Sequence, residues 1–338
     1  NLVASKSLKK VTTENGKTTV QIELDYPAKT QGPVIASMVR AKLTEAGIDA
    51  DVNVGQNIIA HSVQPGVKVF DNVRNIIAVS SGKGGVGKST VSANLALALQ
   101  QEGAKVGLLD ADVYGPSQPT MLSITDKPYS VDGKSLEPMI GHGLQVASVG
   151  VLIDPDQPMI WRGPLAVSAL QQLLKQTNWK DLDYLIVDMP PGTGDIQLSL
   201  SQEVPLTGAV VVTTPQDIAL MDARKGLVMF EKVNVPILGI IENMATHICS
   251  NCGHEEHIFG EGGAEKMAKQ YGVDLLGELP LDINIRLSMD KGEPIVISEP
   301  EGKIAQIYRE IARKLAIAVA KKNKDYSRKM PSIKISDT

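Results

Sequence analysis

Cysteine is scarce in this sequence, which holds two, Cys249 and Cys252, among 338 residues. A single pair cannot form the framework of several disulfides that stabilises small secreted domains, so the sequence excludes that class of protein. In a cytoplasmic protein a C-x-x-C pair indicates metal binding or redox chemistry instead. The two cysteines are therefore candidates for a functional site.

Long hydrophobic runs and an excess of either charge are also missing. No apolar run approaches the roughly 18 residues that a membrane-spanning helix needs, and the opening segment NLVASKSLKK has no long apolar core of the signal-peptide kind. The formal net charge is -4 at pH 7, which gives no general attraction to nucleic acid or to an acidic membrane. We therefore predict a cytoplasmic protein with no nucleic-acid partner and no membrane partner.

The length of the chain allows one large domain and one small domain. Residues 1–66 are predicted to be a small α/β domain, in which KTTVQIELDYP and ADVNVGQNIIA have strand patterns and PVIASMVRAKLTEAG has a helix pattern. We expect this domain to be truncated at its start, because the printed chain begins with Asn rather than Met. Residues 67–74 are predicted to be a linker, 75–322 the large domain and 323–338 a flexible basic tail.

Near-continuous apolar runs dominate the large domain and alternate with helix-like segments. Such runs are typical of strands that are buried on both faces, so a mostly parallel sheet flanked by helices is expected. Ligands of such α/β sheets bind at the carboxyl ends of the strands, where each candidate motif begins. The predicted strands are NIIAVS, KVGLLDAD, LQVASVGVL, DYLIVDMP, GAVVVTTP, PILGIIENM and VDLLGELP.

A helix with one apolar face is predicted at KIAQIYREIARKLAIAVAKKNK, near the end of the chain. Packing of that face on the sheet is the preferred interpretation. An amphipathic membrane anchor is the alternative, because lysines and arginines follow the helix.

The stretch SSGKGGVGKST lies between a predicted strand and a predicted helix. It fits the phosphate-loop pattern G-x-x-x-x-G-K-[ST], which ends with Gly87, Lys88 and Ser89. In such a loop, backbone N–H groups converge on an anion at the positive end of the helix dipole. Lys88 would reach the β- and γ-phosphates, Ser89 would bind Mg²⁺ and Thr90 would bond to the α-phosphate. The residues of this candidate nucleotide site are Gly82, Lys83, Gly84, Gly85, Val86, Gly87, Lys88, Ser89 and Thr90.

Acidic residues end two of the predicted strands. KVGLLDAD supplies Asp110 and Asp112, and DYLIVDMPPGTGD supplies Asp188. Hydrolysis of a γ-phosphate needs Mg²⁺ and a positioned water, and carboxylates at strand ends can hold both. Asp188 is the candidate for the second shell of Mg²⁺, and Asp112 is the candidate for orienting the attacking water. The alternative is that these aspartates only cap helices.

Taken together, SGKGGVGKST, DADVYGPS, DYLIVDMPPGTGD, TTPQDIAL and ENM resemble the motifs of the deviant-Walker P-loop ATPases, the group that holds ParA, MinD and the nitrogenase iron protein. The nearest branch is the Mrp/ApbC family of iron–sulfur cluster carriers, and the resemblance runs from about Asn75 to about Ala320. It implies a P-loop NTPase fold, ATP rather than GTP as the nucleotide, and a homodimer.

The resemblance also assigns roles to residues outside the generic loop pattern. Lys83, the early lysine of the loop, is implied to reach across a dimer interface to the phosphates of the partner subunit, where added positive charge would stabilise the transition state. Asn243 is implied to contact adenine, and Pro280 to line the base pocket. The resulting catalytic set is Lys83, Lys88, Asp112 and Asp188, and Asp110 is added to the nucleotide-binding residues.

Three interpretations of the C-x-x-C pair remain open. The thiolates could be half of a site for an iron–sulfur cluster, which normally takes four cysteines, so that a two-fold partner would supply the other two. The Mrp/ApbC resemblance implies this arrangement, with Cys249 and Cys252 of two chains sharing one 4Fe–4S cluster. Alternatively, the cysteines could bind zinc within one chain, together with His254 and His257, or form a redox disulfide.

The favoured hypothesis is an ATP-dependent scaffold and carrier, which receives a cluster from a donor protein and transfers it to apo iron–sulfur proteins. Its own chemistry would be ATP hydrolysis. The first alternative is a positioning ATPase of the ParA or MinD kind, acting on membrane or DNA, which gives the cysteine pair no role. The second is a redox enzyme like the nitrogenase iron protein, whose cluster cysteines lie far apart in sequence, unlike this pair.

Overall fold

The structure is a computed structural model that describes residues 2, 3, 5–15, 17–151, 163–249 and 251–325. Within these ranges the strands form a three-stranded sheet, an eight-stranded sheet and a two-stranded hairpin.

The small sheet comes first in the chain. Its elements are β1 (Leu8–Glu14), β2 (Lys17–Leu24), α1 (Gly32–Glu45) and β3 (Ala50–Gln56). β1 pairs with β2 in the antiparallel sense, and β2 pairs with β3 in the parallel sense. Alternate residues of β2, Val20, Ile22 and Leu24, are buried, as the period of a half-buried strand requires. The sequence pattern does not predict β1, because LKKVTTE is a mostly exposed edge strand without a clear apolar alternation.

Eight strands form the large sheet. From one edge to the other they are β13 (Leu275–Glu278), β10 (Ile237–Glu242), β9 (Gly208–Thr213), β4 (Val73–Ser80), β8 (Leu182–Asp188), β5 (Val106–Asp110), β7 (Leu144–Ser148) and β6 (Met139–Gly141). All neighbours are parallel except β6 and β7. Each predicted apolar run is a strand, and β6 is an addition, an edge strand too short to stand out in the sequence. The predicted α/β class, a mostly parallel sheet flanked by helices and preceded by a small α/β unit, is confirmed.

Helices cover both faces of the large sheet. One face packs against α2 (Lys88–Gln101), α8 (Ile283–Asp290), α9 (Ile295–Ser298) and α10 (Lys303–Ala320). The other packs against α4 (Gly163–Gln176), α5 (Asp195–Glu203), α6 (Asp217–Lys232) and α7 (Gly263–Tyr271). The short helix α3 (Gln118–Met121) follows β5, and a 3₁₀ turn (Val149–Val151) follows β7. Neighbouring residues of β4 enter opposite cores, Ile77 the first and Ile76 the second, which explains why the strand is apolar without interruption.

The apolar face of α10 is used inside the molecule. Tyr308, Ile311 and Leu315 are buried in the core that α10 shares with α2 and the sheet. The preferred interpretation of this segment, packing on the sheet, is therefore confirmed. In the described parts of the chain, no helix combines the length and the apolar character that a membrane crossing demands. The predicted tail lies outside the described residues from residue 326 onward.

The strand order brings the candidate nucleotide site together. β4, β8 and β5 are neighbours, so their carboxyl ends meet at one edge of the sheet. The loop after β4, Asp188 at the end of β8 and Asp110 at the end of β5 therefore lie side by side.

Candidate functional site

Residues 81–87 form the loop between β4 and α2, and the backbone of this loop requires glycine. Gly85 and Gly87 have φ angles of 85° and 81°, in the left-handed region that favours glycine. A Cβ atom at Gly82 would lie 2.1 Å from the carbonyl carbon of Asp222 in α6, and one at Gly87 would lie 2.3 Å from Asn243 Nδ2. The loop is thus held closely between the start of α6 and the residue that follows β10.

Lys88 begins α2 and forms a buried ion pair with Asp188. Its Nζ lies 2.6 Å from Asp188 Oδ1, 3.3 Å from Ser89 Oγ and 3.9 Å from Asp112 Oδ2. Lys88 is 6% exposed and Asp188 is fully buried. The Asp188 carboxylate also accepts a hydrogen bond of 2.8 Å from Ser92 Oγ. The structure therefore brings the predicted residues Lys88, Ser89, Asp112 and Asp188 together.

Asp110 shapes the loop that follows β5. Its Oδ2 accepts hydrogen bonds from the backbone N–H groups of Ser117 and Gln118, both at 3.1 Å, and from Ser148 Oγ at 3.0 Å. Burial, and after it the nearby Asp188 carboxylate, raise the pKa of Asp110 to about 7. These contacts organise the loop, and direct nucleotide binding by Asp110 stays a prediction.

Asp112 is the most accessible of the three carboxylates. It is 9% exposed, whereas Asp110 and Asp188 are fully buried. Burial raises the pKa of Asp112, and the Lys88 ammonium opposes that rise. Its Oδ1 accepts a hydrogen bond of 3.3 Å from the Tyr114 N–H group. A carboxylate in this position can accept a hydrogen bond from a water molecule that reaches the site.

The donor atoms around Lys88 suit a hard cation. Ser89 offers a hydroxyl group, and Asp112 and Asp188 offer carboxylates, all within 4 Å of one ammonium group. Oxygen ligands of these kinds are the ones that Mg²⁺ takes in nucleotide sites. A further buried oxygen, Gln118 Oε1, has no hydrogen-bond partner in the described part of the chain. The side chains present therefore fit the magnesium ion that the sequence predicts.

A cavity of about 310 Å³ opens beside the loop. Asn243 and Pro280, the two residues that the family resemblance implies at the base, both line it, together with Gly87 and Thr90. Asn243 Nδ2 also donates a hydrogen bond of 2.9 Å to Val86 O, so this side chain is tied to the loop. The apolar part of the wall is formed by Met121, Met244, Leu281, Ile285 and Met289. Three charged side chains, Asp282, Arg286 and Asp290, also line the cavity, and its apolar wall suits the flat face of a purine base.

Lys83 is the exposed lysine of the loop. Its side chain is exposed and makes no ion pair with any described residue of the chain. The start of α6, which packs against the neighbouring Gly82, exposes Ile218 and Met221 at 64% and 59%. Within one chain, Lys83 is therefore available to a group from outside.

The cysteine pair lies in a β-hairpin that follows β10. The strands β11 (His247–Ile248) and β12 (Glu255–Glu256) are antiparallel, and Cys249 and Cys252 lie in the turn between them. Hydrogen bonds close this turn, from Cys249 N to His254 O at 2.9 Å and from Gly253 N to Cys249 O at 2.8 Å. We call residues 247–249 and 251–256 the cysteine hairpin.

Both cysteines of the hairpin are free thiols, Cys249 half-buried and Cys252 exposed. The N–H groups of Cys252 and Asn251 donate hydrogen bonds to Cys249 and lower the pKa of its thiol, which favours the thiolate that binds metal. In the described residues, no group of three or more His, Cys, Asp or Glu side chains is arranged to hold a metal ion. His257 Nδ1 instead lies 2.9 Å from Ala245 O. The one-chain zinc interpretation therefore gains no support from the described residues.

The cysteine hairpin is hydrogen-bonded to the wall of the base cavity. Leu281 N donates to Thr246 O at 2.7 Å, and His247 Nδ1 lies 3.1 Å from Leu281 O. Ala245, the residue before Thr246, donates from its N–H group to Leu279 O at 2.9 Å. Because Leu281 also lines the cavity, the two candidate sites share one piece of backbone.

Sequence reasoning missed two side chains that contact Asp188. Ser92 lies one helical turn after Lys88, so the spacing of residues on a helix face could have indicated it. Gln118 gives no such signal, because nothing in DVYGPSQPTM indicates that the chain folds back against the start of α2.

Comparisons with known proteins identify the family of the chain. The sequence model of a family described as ParA: NUBPL iron-transfer P-loop NTPase matches residues 72–316. The iron-sulfur cluster carrier protein of Escherichia coli K12 is 62% identical over 254 residues, which cover 75% of this chain and 68% of that protein. The iron-sulfur cluster carrier protein of Haemophilus influenzae is 54% identical over 327 residues, covering 94% of this chain and 86% of that protein. Among solved structures, a nucleotide-binding protein from Archaeoglobus fulgidus in complex with ADP has a TM-score of 0.61 and 37% identity, over 70% of this chain and 93% of the other.

The fold and the loop site are those of a P-loop NTPase. Within that class, the chain belongs to the ParA/NUBPL family of iron-transfer P-loop NTPases. The family resemblance predicted from the motifs is confirmed.

Proposed function

We propose that this chain is an ATP-dependent iron–sulfur cluster scaffold and carrier, which binds a cluster and transfers it to apo-proteins. The observation that carries the proposal is that a hairpin with two free thiols is hydrogen-bonded to the wall of the candidate nucleotide cavity. Relatives named iron-sulfur cluster carrier protein support the choice of cargo. A positioning ATPase would leave the cysteine hairpin without a role, and no contact among the described residues of the site favours that alternative.

The ATPase part of the proposal rests on the charges around Lys88. Lys88 exchanges its bond to Asp188 for the β- and γ-phosphates of ATP, while the N–H groups of the loop hold the same phosphates. Ser89 would hold Mg²⁺, with Asp188 beside it, and the ion would supply positive charge against the charge that develops on the phosphates. Asp112, the more accessible carboxylate, orients the attacking water.

The base and the α-phosphate are held by residues on the other side of the loop. Thr90 bonds to the α-phosphate, and Asn243 and Pro280 hold adenine in the cavity that they line. Asn243 also bonds to Val86 O, so that recognition of the base and the conformation of the loop are linked through one side chain.

A second copy of this chain completes both sites in this proposal. Lys83, which has no ion pair with a described residue of its own chain, reaches the phosphates bound by the partner subunit. The Cys249 and Cys252 thiolates of each chain supply two ligands, so a homodimer supplies the four that a 4Fe–4S cluster normally takes. A cluster held between subunits can be received from a donor and released to an apo-protein by moving the subunits.

The thiolates of the cysteine hairpin must stay reduced to bind a cluster, which agrees with the cytoplasmic location that the sequence predicts.

Anaerobic reconstitution tests the proposal. After incubation with iron and sulfide, we expect about two irons and two sulfides per chain, a dimeric mass and the spectrum of a four-iron cluster. The cluster should disappear in Cys249→Ser and in Cys252→Ser, and survive in the hairpin control His254→Ala. Transfer to an apo-ferredoxin should depend on ATP in the wild type and not in Lys88→Met. Tightly bound zinc in a monomer, or a cluster that survives both cysteine changes, would overturn the proposal.

A further inference from the structure

Gln118, at the start of α3, joins the elements around the phosphate site although no role has been assigned to its side chain. It is fully buried. Its Nε2 donates to Asp188 Oδ2 at 2.9 Å and to Ser89 O at 3.0 Å, and its backbone N–H donates to Asp110 Oδ2 at 3.1 Å. One residue therefore ties α3 to the ends of β8 and β5 and to the first turn of α2.

The orientation of the Gln118 amide follows from its neighbours. Both groups that face its nitrogen, the Asp188 carboxylate and the Ser89 carbonyl, can only accept hydrogen bonds. The amide oxygen must therefore face the other way, and there Oε1 has no donor within the described residues. A buried carbonyl oxygen without a donor is unfavourable, so native structures rarely keep one except where a ligand, ion or water completes the bond.

Nucleotide binding changes the set of hydrogen-bond donors around the Asp188 carboxylate. In the structure, Asp188 Oδ1 accepts hydrogen bonds from the Lys88 ammonium and from Ser92 Oγ. Asp188 Oδ2 accepts one from Gln118 Nε2. When Lys88 turns to the phosphates of ATP, the buried carboxylate keeps only two of these donors. Gln118 is the one that also touches Ser89, the residue expected to bind Mg²⁺.

We propose that Gln118 is a positioning residue of the magnesium and phosphate site. Its Nε2 holds the Asp188 carboxylate in place beside Ser89, so that the two groups that would hold Mg²⁺ keep their relative position. Because the backbone N–H of Gln118 also donates to Asp110 Oδ2, the same residue joins the start of α3 to the site. This inference rests on the proposed function, since it concerns the metal ion that accompanies ATP.

Gln64 provides a matched control for the loss of a buried glutamine. It is 6% exposed, its Nε2 donates to Ser201 O at 2.7 Å, and its Oε1 also has no partner among the described residues. Its contacts are with the end of α5 rather than with the carboxylates of the site. A variant at Gln64 therefore loses the same chemical group without touching the nucleotide site.

The test compares ADP binding by the wild type, Gln118→Met and Gln64→Met. Affinity is measured by calorimetry, first in EDTA and then over a series of Mg²⁺ concentrations, and denaturation in urea shows that each variant folds. The Mg²⁺ contribution is the ratio of the two affinities. We expect Gln118→Met to lower that ratio about tenfold, the loss typical of a hydrogen bond to a charged group, with little change in the affinity measured in EDTA. Gln64→Met should keep the ratio of the wild type.

The outcomes separate this inference from the proposed function. If Gln118→Met keeps the full Mg²⁺ contribution while the wild type shows one, Gln118 is only a packing residue and the inference is wrong, although the ATPase proposal stands. An equal loss in both variants would also overturn it, because a general effect on stability would explain the result. If the wild type binds ADP with no Mg²⁺ contribution, the magnesium site of the proposed function fails, and this inference fails with it.

Discussion

Lys88 and Asp188 are each other's main counter-charge at a point that solvent hardly reaches. Removing one partner leaves the other charge buried and uncompensated, which typically costs about 3–5 kcal/mol. We therefore expect Lys88→Met and Asp188→Asn each to lower the free energy of unfolding by about that amount. The double variant should lose clearly less than the sum, because it buries no unpaired charge. Urea denaturation of the four proteins measures this coupling.

An exposed ion pair provides the control for that cycle. Lys269 and Glu265 lie 2.7 Å apart on α7, with side chains 74% and 54% exposed. Breaking this pair with Lys269→Met should leave the free energy of unfolding nearly unchanged, because solvent screens both charges. Additive losses at Lys88 and Asp188 would contradict the view that a direct charge pair holds this part of the site together.

At the scale of elements, the sequence predicts most of the sheet and of the phosphate loop. Strands buried on both faces are apolar without interruption, and the loop has a fixed pattern, so both are visible in a short window of sequence. The exposed strand β1 and the three-residue strand β6 have no such signal. Contacts between distant segments, such as Gln118 with Asp188, depend on how the chain folds back and cannot be predicted from local spacing.

The link between the cysteine hairpin and the base cavity was also invisible in the sequence, and it leads to a prediction. Leu281 lines the cavity and is hydrogen-bonded to Thr246 and His247. A nucleotide in the cavity should therefore stabilise the hairpin. We expect ADP to slow backbone hydrogen exchange in the cysteine hairpin as well as in the loop 81–87. In His247→Ala, the slowing of exchange in the hairpin by ADP should be about fivefold smaller. The reason is that this variant loses one hydrogen bond, which contributes about 1 kcal/mol.

His254→Ala is the matched control for this exchange experiment. His254 lies in the same hairpin, but its side chain is exposed. Its hydrogen bond with Cys249 N is made by the backbone carbonyl. The control should therefore respond to ADP like the wild type. Slower exchange in the loop alone, with no change in the hairpin, would show that the shared backbone does not couple the two sites.

At the scale of the whole molecule, the small sheet is joined to the far end of the phosphate-loop helix. α2 begins at Lys88, and directly after its last residue comes Glu102, which is fully buried. The Glu102 carboxylate accepts hydrogen bonds from Thr30 Oγ1 at 2.7 Å and from Arg313 Nη1 of α10 at 2.5 Å. Gln56 Nε2, at the end of β3, donates to Gly103 O at 2.8 Å. We therefore expect the small sheet to behave as part of the ATPase body rather than as a domain on a free tether.

Arg313→Met tests this expectation, because it leaves the buried Glu102 carboxylate without its cation. The loss should be a few kcal/mol in the free energy of unfolding, as for other broken buried pairs. It should also appear as faster hydrogen exchange across β1, β2 and β3, measured with ADP absent. The control is Lys324→Met at the same junction, where the pair with Asp25 is partly exposed and worth less than about 1 kcal/mol. If the sheet exchanges at the wild-type rate in Arg313→Met, its attachment does not depend on Glu102. The contacts at the end of α2 would then not link the small sheet to the phosphate-loop helix.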